Sequence, residues 1–277
     1  MPRARVYTAC QDLPQGRYNA RHLNNQQGCR MAGSKHEYGL SWIDQDALYN
    51  GIKTIFSKAL GLARPSKELP PDPFTILAQA AIADTSFEDS LDFEHLRALN
   101  KTISNAVGEM HQHILGLAKN WENLGRSGGL LDVCTVPGYV HPKFGKPVVA
   151  EVKNRFNTIK ASDEPKEWDK IKDATKIAKR LSTKGAQGYL FQITPKTPQR
   201  YDHPWTPSHR TVDPDVRVCD GATAYEIVFG HRAALKELYL ALPQIFRDIR
   251  LENGLDTKTP LPDAARMAEL YARVFPD

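Results

Sequence analysis

Residues 130–160 read LLDVCTVPGYVHPKFGKPVVAEVKNRFNTIK and contain the clearest strand signals of the chain. An apolar segment around Val133 is followed by Pro137-Gly138, the turn-forming HPKFGK, and a second apolar segment from Pro147 to Lys153. Short apolar segments separated by proline and glycine are typical of neighbouring strands. We therefore predict an antiparallel hairpin here.

The hairpin also carries a chemically suggestive set of side chains. Side chains alternate between the faces of a strand, so Glu151 and Lys153 share one face and Val152 points into the core. An antiparallel partner strand can bring Asp132 opposite Glu151. Two carboxylates beside an ammonium group suit Mg²⁺ and the hydrolysis of a phosphodiester. The spacing alone is weak evidence, because a solvated strand with an alternating Glu–Lys pair shows the same pattern.

Upstream of the hairpin the sequence predicts helices. Asp44 or Asp46 can cap a first helix, and four prolines within residues 63–73 indicate a loop. A second helix follows from Phe74. Apolar residues then recur at steps of three and four, which predicts one long helix, or two in line, ending at Gly125.

Downstream, a helix is predicted from Ser162 to Gly185, followed by the apolar strand AQGYLFQITPK and a Pro-rich loop over residues 200–215. A short strand from Val216 is then followed by a turn, by a second strand or the start of a helix, and by helices to residue 275. This order predicts an α/β fold with a mixed central β-sheet flanked by helices. We expect one domain over residues 31–277, with a helical N-terminal part at 31–125, a core at 126–250 and a C-terminal helix at 260–275.

Positive charge is concentrated in two segments of the chain. Residues 1–30 hold five arginines and one acidic residue, and residues 151–184 hold ten basic and six acidic residues. Such segments suggest a polyanion partner, although a lysine-rich solvated helix explains the second equally well. We expect residues 1–30 to be either a disordered basic arm or an extension that precedes a true start at Met31.

Several blocks of the sequence resemble the PD-(D/E)xK type II restriction endonucleases. RSGGLLDVCTVPGYV at 126–140 and KPVVAEVKNRFNTIKASD at 146–163 resemble their catalytic block, most of all in the family that cuts GGNCC- and GGWCC-type sites. Its lysine strand reads E-[IV]-K-N-[KR]-x-N-T, matched here by EVKNRFNT. SNAVGEMHQHILG, GYLFQITPK and VCDGATAYEIVFGHRAALKELYLALP occur in the same order as in that family. One departure is Leu131, which stands where the motif often has proline.

The resemblance implies a restriction-endonuclease-like core and assigns roles to residues. Asp132, Glu151 and Lys153 match the catalytic triad, with Asp132 and Glu151 as ligands of Mg²⁺. Glu109 lies on the preceding helix, where related folds place a further acidic residue near the metal. Residues able to hold phosphates or base edges follow the lysine strand or lie in the Pro-rich loop, and these DNA-binding candidates are Asn154, Arg155, Asn157, Thr158, Lys160, Arg200, Tyr201, His203 and Arg210.

The expected activity is Mg²⁺-dependent hydrolysis of double-stranded DNA at a short, pseudo-palindromic, GC-rich site, leaving 5′-phosphate ends. A homodimer is expected, because a two-fold protein matches a two-fold DNA sequence. A DNA methyltransferase of the same specificity is implied as a functional companion. Two alternatives stay open: a monomeric DNA-repair nickase of the same fold, and a DNA-binding module without catalysis.

Composition excludes several other classes of protein. The chain is 41% hydrophobic and 25% charged, which is typical of globular proteins rather than disordered or collagen-like ones. No apolar stretch is long enough to span a membrane. Four cysteines in 277 residues do not form a disulfide framework, so we expect a cytoplasmic protein.

Overall fold

The computed structural model describes residues 35–62, 70–125, 131–178 and 185–276. Within these ranges the strands are β1 (Trp121–Asn123), β2 (Val133–Thr135), β3 (Val148–Arg155), β4 (Gln187–Thr194), β5 (Asp202–Pro204) and β6 (Val216–Asp220). The helices are α1 (Gln45–Phe56), α2 (Pro73–Ala83), α3 (Phe87–Gly116), α4 (Glu164–Ala178), α5 (Gly221–Phe229), α6 (Ala234–Glu252) and α7 (Ala264–Val274).

The six strands form one mixed sheet in the order β1-β2-β3-β4-β6-β5. β2 pairs antiparallel with both β1 and β3, whereas β3, β4 and β6 are parallel to one another. β5 pairs with β6 as an antiparallel edge strand. The predicted hairpin is therefore β2–β3, and the predicted mixed sheet flanked by helices is confirmed.

The two faces of the sheet are covered by different helices. Val133, Ala150 and Val152 pack in a large apolar cluster with residues of α1, α3, α5 and α6. Leu190 and Val218 belong to a smaller cluster with residues of α4 on the opposite face. Because neighbouring residues of β3 alternate between these faces, Glu151 and Lys153 face α4.

Some helix boundaries differ from those predicted. Asp44 is the cap of α1, since its carboxylate accepts from the N–H of Ala47 at 2.9 Å. α3 ends at Gly116 rather than Gly125, and β1 follows inside the part predicted to be helical. A Cβ at position 116 would lie 2.5 Å from the Cβ of Asn123. The missing side chain of Gly116 therefore lets β1 fold back closely against the end of α3.

The Pro-rich loop and its flanks also differ from the prediction. Residues 202–204 form the edge strand β5, where Asp202 accepts hydrogen bonds from Tyr189 at 3.0 Å and from Arg217 at 2.7 Å. α5 follows β6 directly, because Asp220 caps it by accepting from Thr223 N–H. β5 depends on hydrogen bonds between residues distant in the sequence, so its short sequence pattern does not reveal it.

The segment 1–30, with its predicted arm or extension, lies outside the described residues. Within the described ranges, none of the helices combines the length and hydrophobicity required of a membrane span.

Candidate active site

The hairpin register brings Asp132 and Glu151 together. Val133 pairs with Ala150 and Cys134 with Val149, so Asp132 stands opposite Glu151 at the end of β2. The Oδ2 atom of Asp132 accepts a hydrogen bond from the N–H of Val152 at 2.8 Å. The Asp132 carboxylate is thereby fixed to the backbone of β3, beside the strand that carries Glu151 and Lys153.

Glu151 is the best-buried charged group of this region, with 3% of its surface exposed. Its Oε1 accepts from the Nζ of Lys153 at 2.7 Å, and its Oε2 accepts from the Nζ of Lys170 at 2.8 Å. A buried carboxylate is costly unless it is paired and hydrogen-bonded, and here both oxygens are satisfied.

Two residues of α4 join the site that sequence reasoning did not single out. Glu167 Oε1 lies 3.6 Å from Lys153 Nζ, and Glu167 Oε2 lies 3.7 Å from Lys170 Nζ. The Oε2 atom is buried and has no hydrogen-bond partner. In the sequence, Glu167 and Lys170 precede the apolar Trp168 and Ile171, so the helical period places them at the border of the buried face. This position beside the apolar face is the feature of the sequence that could have identified Glu167 and Lys170 as candidate site residues.

Burial and the repulsion between Asp132 and Glu151 determine the charge states of the site. Burial raises the pKa of Asp132 to about 6, and the negative charge of Glu151 adds to this rise. The Val152 N–H and the two lysines oppose it. Burial by itself would lower the pKa of Lys153, but its hydrogen bond to Glu151 and the surrounding carboxylates outweigh this effect and raise it. Lys153 is therefore held as an ammonium group.

These donors fit a hard divalent cation. Asp132, Glu151 and Glu167 offer carboxylate oxygens, one of them buried without a hydrogen bond, and a cation would relieve the repulsion that raises the pKa of Asp132. In the described parts of the chain, no three acidic, histidine or cysteine side chains form a ready-made metal cluster. The oxygens of Glu151 point instead to lysines.

Gln192 and Tyr201 form a polar contact next to the lysine. Gln192 on β4 is paired in register with Lys153, and the hydroxyl of Tyr201 donates to Gln192 Oε1 at 2.8 Å. Burial raises the pKa of Tyr201, so its hydroxyl stays protonated and keeps donating. The structure thus places Tyr201, a predicted DNA-binding residue, against Gln192 of β4, next to Lys153 of β3.

Comparison with known proteins identifies the family. The sequence model of the Eco47II restriction endonuclease family matches residues 40–250 of this chain. The type II restriction enzyme Eco47II of Escherichia coli is 31% identical over 248 residues, which cover 85% of this chain and 98% of the relative. The chain belongs to the Eco47II restriction endonuclease family. The type II restriction enzyme Sau96I of Staphylococcus aureus is 26% identical over 209 residues, 72% of this chain and 74% of the relative.

Membership of the Eco47II family confirms the resemblance drawn from the sequence. The matched range begins upstream of α1 and ends within α6, so it includes the whole sheet and both helical layers. The protein is accordingly a type II restriction endonuclease, a hydrolase that acts on DNA.

The predicted DNA-binding residues of this Eco47II family member fall into two groups. Arg155, Asn157, Thr158 and Lys160 are exposed on the segment that leaves β3 just after Lys153. Asn154 instead lines an apolar groove beside α3. The DNA-binding role of all five stays a prediction.

The remaining candidates lie in or near the edge strand. Arg200 donates hydrogen bonds to Glu226 and to the carbonyl of Arg232. Arg210 forms a bidentate ion pair with Asp169 of α4. His203 is exposed on β5. Contacts to DNA by the two arginines would therefore compete with these intramolecular ion pairs.

Glu109 lies apart from the lysine face of the sheet. It is exposed on α3, one residue after Gly108, whose backbone approaches Asn154. α3 packs on the sheet face that carries Val152, whereas Glu151 faces α4. A metal-binding role for Glu109 stays a prediction, and the structure adds Glu167 as a nearer acidic neighbour of Lys153.

Proposed function

We propose that this protein cuts both strands of double-stranded DNA at a short, pseudo-palindromic, GC-rich site of the GGNCC or GGWCC type, with Mg²⁺ as cofactor. The observation that carries the proposal is the buried carboxylate of Glu151, held between Lys153 and Lys170 and opposite Asp132. A buried group of charges costs folding free energy, which is typical of functional sites.

Asp132 and Glu151 would hold the cation in this proposal. Glu109, whose helix α3 packs on the other face of the sheet, is the predicted third carboxylate, and Glu167 is the nearer acidic neighbour of Lys153. Bound Mg²⁺ supplies Lewis-acid stabilisation of the charge that develops on the phosphate and leaving oxygen. The ammonium group of Lys153 orients the attacking water and offsets the phosphate charge. In-line attack by the water forms the new P–O bond as the bond to the 3′ oxygen breaks. The water loses its proton to solvent and the 3′ oxygen takes one up from solvent, which leaves a 5′-phosphate and a 3′-hydroxyl.

The proposed DNA contacts extend from the end of β3. Arg155 and Lys160 would neutralise phosphates, while Asn154, Asn157 and Thr158 would contact phosphates or base edges. Arg200, Tyr201, His203 and Arg210 are proposed as a second set of contacts.

The biological setting follows from this chemistry. A homodimer would place one catalytic site on each strand of a two-fold DNA sequence. A methyltransferase of the same specificity would protect host DNA. Since the substrate would be incoming DNA, we place the enzyme in the cytoplasm.

Digestion of plasmid and phage DNA tests the function. With Mg²⁺ we expect discrete fragments whose sequenced ends share one GC-rich motif, and with EDTA we expect intact DNA. Nicked circles that never become linear would favour the monomeric nickase. Binding without any cleavage in Mg²⁺ would favour the non-catalytic module.

Replacement of Arg155 by alanine is expected to weaken DNA binding, because its exposed guanidinium follows the catalytic strand. If it contacts a phosphate, affinity should fall similarly on all sequences and the salt dependence should decrease by about one charge. If it contacts guanine, discrimination at one base pair should fall by about 1–3 kcal/mol. Titrations of cognate and altered duplexes in Ca²⁺ distinguish these results.

The matched control is Arg266→Ala, an exposed arginine on α7 outside the proposed interface. It should bind both duplexes as the unaltered protein does. Unchanged affinity and selectivity of Arg155→Ala would remove Arg155 from the interface.

A further inference from the structure

An unusual set of apolar side chains is exposed on α2 and the first half of α3. We call residues 72–105 the α2–α3 arm. Its eight large exposed apolar residues are Phe74, Leu77, Ile82, Phe87, Phe93, Leu96, Leu99 and Ile103. Their exposed fractions run from 37% to 86%. Monomeric soluble proteins rarely expose contiguous apolar surface beyond a few hundred Å².

The apolar stripe of α3 is longer than the core that covers it. Leu96 and Ile103 continue the line of Met110 and Ile114 along one side of the helix. Met110 and Ile114 are buried against the sheet, whereas Leu96 and Ile103 are exposed. The stripe therefore extends beyond the part of α3 that packs on the sheet. It also continues into a groove of about 480 Å³ that Ile103 and Val107 help to line.

α2 does not cover this stripe. Of its residues only Ile76 is buried, and Phe74, Leu77 and Ile82 face away from that side. On the first half of α3 the buried residues are Ser90 and Glu94, which lie on a different side from Leu96. Both helices consequently present apolar surface outward.

The charge of the arm argues against DNA as its partner. Residues 72–103 contain six acidic and two basic residues, and α2 contains no charged residue at all. An acidic, apolar surface repels a polyanion and suits another protein surface. The segment 1–30 of this chain carries five arginines among glutamines and asparagines, so it offers little apolar surface to cover the arm.

The area of the arm is comparable to that of one side of a stable dimer interface. Eight side chains of ~150–200 Å² each, exposed to the fractions above, present on the order of 800 Å². Stable protein–protein interfaces bury about 800 Å² per partner. The apolar residues of α2 and of α3 lie on different sides of the helix pair, so a second copy buries both faces only when its own helices pack around the arm.

We propose that the α2–α3 arm is the surface through which two copies of this chain associate. The choice of a second copy rests on the proposed function, because a two-fold DNA site is matched by a two-fold protein. The arm of one copy packs against the arm of the other and removes both apolar faces from water.

Sedimentation of the full-length chain at micromolar concentration tests the interface. The unaltered protein should sediment at twice the chain mass of 31.1 kDa. Ile82→Glu combined with Leu96→Glu should weaken association about a hundredfold or more, because it places two unpaired carboxylates within the proposed apolar interface. The control is Leu251→Glu with Val212→Glu, two exposed apolar positions outside the arm, and it should remain dimeric.

Thermal unfolding shows whether the variants fold, and the milder Leu96→Ala should weaken association without introducing charge. A dimer that survives both arm variants would overturn the proposal. A monomeric unaltered chain would also overturn it. If deletion of residues 2–30 then increases the binding of a hydrophobic dye, that segment is what covers the apolar residues of the arm. DNA cleavage is scored separately: a monomer that cuts DNA contradicts only the interface, and an arm-dependent dimer that never cuts contradicts only the function.

Discussion

Replacement of Glu151 by glutamine is expected to abolish DNA cleavage, with a loss of about 10³-fold or more. The carboxylate is a proposed cation ligand, and both its oxygens anchor lysines of the site. Lys153→Ala should lose activity to a similar extent, because it removes the ammonium group proposed to orient the water. Specific DNA binding in Ca²⁺ should persist, since affinity comes from many separate contacts. Single-turnover cleavage and duplex titration measure the two effects.

Two further variants define the site around Glu151. Lys170→Met should reduce cleavage less than Lys153→Ala, because Lys170 contacts the other oxygen of Glu151 and is more exposed. Lys166→Ala is the control and should cut normally, because Lys166 is an exposed lysine of the same helix whose ammonium group lies 3.5 Å from Asp163, the residue before α4. Cleavage near the unaltered rate by Glu151→Gln or Lys153→Ala would contradict the proposed active site.

Asp132→Asn is expected to abolish cleavage and to stabilise the metal-free fold at neutral pH. The side chain keeps an oxygen that can accept from Val152 N–H, but the charge that burial and Glu151 disfavour is gone. If removal of this charge raises the free energy of unfolding by roughly 1 kcal/mol, the melting temperature should rise by about 2–4 °C. Loss of activity with a gain in stability is typical of residues retained for function.

The pH dependence of this stabilisation has a defined sign. The folded-state pKa of Asp132, about 6, lies above its ordinary value of 3.8, so the folded protein binds this proton more tightly. Asp132 therefore contributes stability below pH 3.8, and this contribution is lost as the pH rises through 6. The difference between Asp132→Asn and the unaltered protein should be small near pH 4 and full at pH 7.

Asp173→Asn, an exposed carboxylate on α4, is the control and should show no such pH dependence. Melting temperatures recorded in EDTA across this range measure the effect. Cleavage by the unaltered enzyme at low Mg²⁺ should fall below about pH 6, and added Mg²⁺ should shift the midpoint to lower pH, because cation and proton compete for Asp132. An Asp132→Asn protein that is less stable at pH 7 would contradict the electrostatic account.

The pairing of Asp132 with Glu151 could be predicted from the sequence because it depends on local rules. Two strands separated only by the non-helical residues 136–147 are typical antiparallel neighbours, and alternation within β3 separates Val152 from Glu151 and Lys153. The family could likewise be predicted, since the long block EVKNRFNT is far more specific than the spacing of its charges. Helical period also sufficed for α1 and most of α3.

Only the tertiary structure decided which distant groups join the candidate site and which apolar faces stay uncovered within the described part of the chain. Lys170 and Glu167 lie in a helix whose charge pattern equally suits solvent, and they reach Glu151 and Lys153 because α4 packs across the β3–β4 pair. Leu96 and Ile103 fit the core pattern of α3 as well as Met110 does, yet the sheet ends before it reaches them. Periodicity reports the face of a helix on which a side chain lies, whereas burial depends on what the rest of the chain places against that face.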